Sequence, residues 1–239
     1  MKYIITESQL EIIKDNILKI PFSSFNNNWN LLQRFLSKRG NPPYILKGNV
    51  LLFKNKEITT LGSLISVEGY LNLQETSIES LGNLISVEGT LNVDSTQLKS
   101  LGNVTYVGES LILEDTLIRS FENLTSVGGD LFSTKSRIES LGSIESVGGD
   151  VYLRKTNIES LGNLTSVGGN LELTESPIES LGNLTSVGGY LNLIGTPIES
   201  LGNLKSVGGN LYLTNTPMAE KYSKQEIRDM AEVGGVIYL

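Results

Sequence analysis

Large apolar and aromatic residues recur at intervals of twenty residues along the middle of the chain. Ile112, Phe132 and Tyr152 follow this interval as three large apolar groups. Aromatic groups with Arg nearby, at the centre of a sheet face, are typical of binding hot spots. Cross-strand stacking that only stabilises a sheet is the alternative interpretation. The full set of candidate protein-binding residues is Ile112, Phe132, Tyr152, Arg154, Asp130, Asp150, Lys155, Tyr190 and Tyr212.

The composition argues against catalysis. The chain has 0 Cys and 0 His, which excludes thiolate nucleophiles, cysteine zinc sites and histidine general bases. An enzyme would have to use Asp, Glu, Lys, Tyr or Ser alone, and no nucleophile with an adjacent base is visible. We therefore expect a non-catalytic protein without a cofactor.

A column of glutamates is the one pattern that suggests a metal ion. Its members are Glu79, Glu139, Glu159, Glu179 and Glu199, interrupted by Lys99 and Arg119. Aligned carboxylates attract Ca²⁺, but a solvated acidic ridge is the interpretation we favour. No resident metal is expected.

Charge and hydropathy narrow the class of partner. The net charge of −7 disfavours nucleic acid, because neutralising phosphates requires a basic face. The sequence has no apolar run of about 18 residues, as a membrane span would need, and no secretory signal near Met1. We expect a cytoplasmic protein, in the host cytoplasm if it is viral, whose partner is another protein.

The elements that position the candidate residues are set by an internal repeat. A block of the type Leu-Gly-Asn-Leu recurs eight times at one constant interval, without an insertion. The blocks begin at Leu61, Leu81, Leu101, Phe121, Leu141, Leu161, Leu181 and Leu201. Such a period predicts a solenoid whose coils bury their apolar side chains only when stacked.

The apolar positions within one coil predict its path. In the second full coil they are Ile78, Leu81, Leu84, Val87, Leu91 and Val93. Steps of three suit an irregular extended return, and the final step of two predicts one short strand with both side chains inward. A Gly before most strands, such as Gly89, indicates positive φ or close backbone approach.

This spacing resembles the leucine-rich repeat family, in the 20-residue class known from bacterial effector proteins. The match covers roughly residues 47–239 and is carried by Leu171-Glu172-Leu173, then Ser176, Ile178, Leu181 and Leu184. The resemblance implies an α/β repeat solenoid of about nine to ten coils. Two features depart from the family: a Leu-Gly-Asn-Leu return path, and a Thr/Ser column where the family has Asn. By analogy we expect that column to bond neighbouring coils. A right-handed parallel β-helix, with two or three strands per coil, is the alternative.

The two ends of the chain break the period. Residues 1–46 are expected to form a helical N-terminal cap, with helices at about 7–19 and 28–38, and residues 47–217 the solenoid. Residues 218–239 are expected to hold a short helix after the capping box Ser223–Glu226, and a last strand. Both ends are similar to uncharacterised repeat proteins of tailed bacteriophages, in Tyr3-Ile4-Ile5-Thr6-Glu7-Ser8-Gln9-Leu10 and Gly234-Gly235-Val236-Ile237-Tyr238-Leu239.

Two functions therefore remain open. The first is a protein-binding module that uses the outward sheet face, such as a phage factor that engages a host protein. The second is a structural protein that self-associates through the C-terminal edge strand. We expect a monomer rather than a homodimer.

Overall fold

A computed structural model of the protein, which describes residues 17–239, shows a parallel β-solenoid. Its coils stack at the predicted interval, as in the pairing of Leu131 with Val151. The inward side chains form one continuous core, in which Ile78, Leu84 and Leu91 are fully buried. The predicted solenoid is confirmed.

From Tyr44 onward each coil contributes two strands, one to each of two parallel sheets, and the strand Leu18–Pro21 extends the first of these sheets. Within residues 17–239 the serine–valine sheet has 11 strands: Leu18–Pro21, Tyr44–Lys47, Leu64–Glu68, Ser86–Val87, Tyr106–Val107, Ser126–Val127, Ser146–Val147, Ser166–Val167, Ser186–Val187, Ser206–Val207 and Glu232–Val233. In the same described part of the chain the leucine sheet has 10 strands: Val50–Leu51, Leu71–Asn72, Leu91–Asn92, Leu111–Ile112, Leu131–Phe132, Val151–Tyr152, Leu171–Glu172, Leu191–Asn192, Leu211–Tyr212 and Ile237–Tyr238.

The serine–valine strands are the part of the coil that the apolar pattern did not predict as strand. One strand per coil was expected, whereas two is the number that belongs to the β-helix alternative. The second strand forms because Ser86 and Val87 pair in register with Tyr106 and Val107 of the next coil. The extended segment is thereby hydrogen-bonded as part of a parallel sheet. A strand this short cannot show a period of two in the sequence.

The glycines between the two strands allow close backbone approach rather than positive φ. A Cβ at Gly89 would lie 2.8 Å from both the carbonyl carbon and the carbonyl oxygen of Gly69 in the preceding coil. Positive φ occurs instead in the return path, for example at Gly162 with φ 60°. Of the two explanations predicted for this glycine column, close approach is the one observed.

The buried Thr/Ser column closes a turn within each coil and does not bridge coils. Thr156 Oγ1 donates to the carbonyl of Leu153 at 2.7 Å, and Ser176 Oγ to that of Leu173 at 2.6 Å. The prediction of bonds between neighbouring coils was wrong, because the hydroxyl reaches a carbonyl earlier in its own coil.

Helix α1, Trp29–Ser37, lies at the N-terminal end of the stack and confirms the second predicted helix. Its cap is Asn28, whose side chain accepts from the Leu31 N–H at 3.0 Å. Trp29, Leu32 and Leu36 are buried against the core. A 3₁₀ helix, Phe22–Phe25, precedes it.

The first predicted helix, at 7–19, lies outside the described residues up to residue 16. Its last two residues, Leu18 and Lys19, belong to the strand Leu18–Pro21, so the prediction is wrong there. This strand pairs with Tyr44–Lys47, and parallel pairing satisfies the backbone groups that a helix would have satisfied internally.

Two short helices, α2 at Pro217–Lys221 and α3 at Lys224–Met230, lie in the last return path. The capping box at Ser223 and Glu226 opens α3 as predicted. Arg228 donates to the carbonyls of Val233 at 2.8 Å and Gly235 at 3.0 Å. The helix therefore bonds the edge of the serine–valine sheet directly.

Candidate functional site

The outward face of the leucine sheet is a set of continuous columns. Its central column runs through Asn72, Asn92, Ile112, Phe132, Tyr152, Glu172, Asn192, Tyr212 and Tyr238. In the first coil the column member is Leu51, which pairs with Asn72, because this coil is longer than the next by a single residue. The constant repeat places Leu52 there instead, but Leu52 is buried and Leu51 is exposed.

Phe132 and Tyr152 form the centre of this face. Their rings stack with centroids 5.3 Å apart and planes at 8°. Ile112 lies beside Phe132 on the neighbouring strand, and all three side chains are partly exposed. Since the rings face each other along the stack, they present their edges to solvent. The predicted register of the three apolar groups is present.

Asp130 and Asp150 act as backbone acceptors between coils. Asp130 Oδ1 accepts from the Asp150 N–H at 2.7 Å, and Asp150 Oδ1 accepts from the Asn170 N–H at 2.6 Å. Asn170 does the same for the Tyr190 N–H at 2.9 Å. Because an amide performs this task as well, the carboxylates have a structural role that the sequence interpretation missed.

Tyr152 and Asp150 are bonded to each other, and the bond shifts both pKa values. The Tyr152 hydroxyl donates to Asp150 Oδ2 at 2.8 Å. This bond, then burial and then the nearby negative charge raise the pKa of Tyr152 to about 12. Burial alone would raise the pKa of Asp150, but the bonds from Asn170 and Tyr152 outweigh it and lower that pKa.

Tyr152→Phe is expected to raise the pKa of Asp150 toward its ordinary value, because one donor to the carboxylate is lost. Since the folded state lowers the pKa of Asp150, this group's contribution to stability is complete above pH 3.8 and is lost as pH falls through the folded pKa. The variant should therefore lose stability at neutral pH that it does not lose in strong acid. Carboxyl ¹³C NMR titration measures the pKa. Tyr212→Phe, which removes a hydroxyl farther along the face, should leave it unchanged.

Arg154 and Lys155 follow the Val151–Tyr152 strand and are exposed. Lys155 Nζ lies 3.1 Å from Glu175 Oε2, in an exposed ion pair. Among residues 17–239, no carboxylate lies within ion-pair distance of Arg154. Both cations are therefore accessible beside the aromatic pair.

Tyr190 and Tyr212 belong to a second aromatic group. Their rings meet edge to face at 6.0 Å, and Tyr212 also stacks on Tyr238 at 4.7 Å. Glu172 and Asn192, hydrogen-bonded at 3.0 Å, separate Tyr152 from Tyr212 in the central column. The structure thus divides the predicted set into two groups. It adds Tyr238, which pairs in register with Tyr212 and was not among the candidate residues.

The glutamate column carries no metal-binding geometry within the described part of the chain. There, no group of three or more His, Cys, Asp or Glu side chains is placed to hold a metal ion. Glu139 instead forms an ion pair with Arg119.

The helices of residues 17–239 include none with the length and apolar character needed to cross a membrane.

Comparison with known proteins gives no relative. The sequence matches no protein-family model, no curated protein and no solved structure.

Proposed function

We propose that this chain is a non-catalytic protein-binding module whose contact surface is the outward face of the leucine sheet. The observation that supports this most is the set Ile112, Phe132 and Tyr152. These three large apolar groups lie in register and are accessible on neighbouring strands. Apolar groups of this size at the centre of a rigid sheet give contact area at a low entropic cost.

The variability of this face supports the same proposal. Inward positions are Leu, Ile or Val in almost every coil, whereas the central outward column changes from Asn to Ile, Phe, Tyr and Glu. Core packing fixes the first set and leaves the second free to fit a partner. The proposal has four finer parts: membership of the leucine-rich repeat family, a phage origin, a host protein as the partner and a cytoplasmic location.

Affinity capture with matched variants tests the contact surface. Phe132→Ala with Tyr152→Ala is expected to weaken capture of the partner from a bacterial lysate about tenfold, as truncation of a central hot spot does. Tyr106→Ala is the matched control, because Tyr106 is an exposed aromatic group on the serine–valine sheet. Thermal melting checks that each variant is folded. Equal capture by the double variant and the wild type would remove the proposal.

Self-association is the second candidate function. Within the described residues, Ile237–Tyr238 pairs with a strand on one side, and Val236, Tyr238 and Leu239 are exposed beside it. Unpaired strand edges with apolar neighbours favour strand addition. Size-exclusion chromatography with light scattering distinguishes the two functions, since a monomer at high concentration contradicts the second.

A further inference from the structure

The basic residues of the solenoid are concentrated beside the aromatic pair. Over the solenoid, residues 47–217, the sequence has ten Lys or Arg residues: Lys47, Lys54, Lys56, Lys99, Arg119, Lys135, Arg137, Arg154, Lys155 and Lys205. Five of the ten fall within residues 119–155, although the chain as a whole has a net charge of −7. A uniform repeat does not require this concentration.

Four of these side chains form what we call the basic corner: Lys135, Arg137, Arg154 and Lys155. All four are exposed, and they follow the strands Leu131–Phe132 and Val151–Tyr152 at the turn that leaves the leucine sheet. Asp130 and Asp150 lie at the opposite end of the same strands. The aromatic pair is therefore flanked by positive charge on one side and negative charge on the other.

The basic corner places two lysines on neighbouring coils at the same position of the repeat. Lys135 and Lys155 both have φ of 56°, the left-handed conformation that this column also adopts in other coils, as at Asp115 and Glu175. The Lys135 N–H donates to the Arg154 carbonyl at 3.0 Å, which joins the two coils directly. The two ammonium groups thus start from backbones about 4.8 Å apart.

Little in the described structure neutralises this charge. Glu175 pairs with Lys155 at 3.1 Å, but among residues 17–239 no carboxylate lies within ion-pair distance of Lys135, Arg137 or Arg154. Three of the four cations therefore lack an ion-pair partner within the described residues, and uncompensated charge beside an apolar contact is typical of a surface that recognises a partner of opposite charge.

We propose that the basic corner recognises an acidic segment of the partner protein, with an apolar side chain of that segment placed on the Phe132–Tyr152 pair. This inference rests on the proposed function and names the chemistry of its partner. Complementary charge at the rim of an apolar contact sets orientation and accelerates association. An extended segment with an apolar residue beside two or three carboxylates fits the arrangement.

A designed acidic peptide tests this inference without knowledge of the natural partner. The probe is a short labelled peptide rich in Glu and Leu, compared by fluorescence anisotropy with a peptide that has Gln for every Glu. The wild type is expected to bind the acidic peptide about tenfold more tightly at low ionic strength, and the difference should shrink as salt screens it. The variant Lys135→Asn/Arg154→Gln/Lys155→Asn should lose this preference, whereas Lys205→Gln, on the serine–valine side, should keep it.

The melting temperature of the variant distinguishes a binding role of the basic corner from a structural one. Because the variant removes like-charge repulsion and places Asn in the left-handed turns, its melting temperature should equal or exceed that of the wild type. The inference fails if the Gln peptide binds equally well, if salt has no effect, or if the variant binds like the wild type. Tighter binding of a short DNA oligonucleotide than of the acidic peptide also overturns it. If capture of a partner depends on Phe132 and Tyr152 but not on the basic corner, the proposed function survives and this inference does not.

Discussion

Leu164→Ala is expected to lower the free energy of unfolding by about 3.5 kcal/mol, the middle of the range for Leu-to-Ala truncation in a core. Leu164 is fully buried between Ile144 and Leu184, its equivalents in the neighbouring coils. Each coil is hydrogen-bonded in register to the coils on both sides. At Thr165, for example, the backbone N–H donates to the backbone carbonyl of Glu145, and the backbone carbonyl accepts from the N–H of Thr185. The coils therefore cannot move closer together to fill the cavity that truncation of Leu164 leaves.

The same truncation near the end of the stack should cost less. In a solenoid each coil contacts only its neighbours, so a terminal coil opens without the loss of the remaining interfaces. Leu52→Ala removes an equally large group from the first coil, where Leu52 is also buried. Urea denaturation measures both values, and hydrogen exchange should show loss of protection confined to the first coils in Leu52→Ala. Equal effects on global unfolding would contradict this nearest-neighbour description, and exposed Glu159→Ala serves as the control.

The inward half of this protein is predictable from the sequence because one spacing repeats without interruption. Ile78, Leu81 and Val87 are buried as expected, since a fixed interval allows a single stacking register. Where the spacing between coils changes, the sequence no longer predicts which residue faces outward. The longer first interval moved the column from Leu52 to Leu51, and no apolar pattern distinguishes these two leucines.

The roles of polar residues were less predictable, because they depend on where a hydrogen bond ends. Asp150 was a candidate contact residue, yet it accepts bonds from the Asn170 N–H and the Tyr152 hydroxyl. A signal for this role was present, since Ser110 and Asn170 in the same column also have a short side chain with an acceptor oxygen. Helix α2 was also signalled, by Thr216 as a cap with Pro217 at the first helical position.

The second large effect concerns a coil that departs from the repeat at its core. Ser133 is fully buried in a column where the neighbouring coils have Leu113 and Leu153. Its hydroxyl is hydrogen-bonded to that of Ser136 at 2.6 Å. In other coils the hydroxyl at the position of Ser136 donates to a backbone carbonyl instead, as Ser176 does. Ser133 thus occupies a position that the neighbouring coils fill with aliphatic carbon.

Ser133→Leu is expected to raise the free energy of unfolding by about 2 kcal/mol, because roughly three more carbon atoms become buried at about 0.8 kcal/mol each. Ser136 would then donate to the carbonyl of residue 133, the bond that Ser176 makes to Leu173. Ser133→Ala, which removes the hydroxyl without filling the space, should change stability little. Destabilisation by Leu would mean that the neighbouring coils have already closed around the serine. Because the side chain at 133 points inward, affinity for a partner at Phe132 should not change. A more stable variant that binds less tightly would instead show that Ser133 contributes to recognition through the position of Phe132.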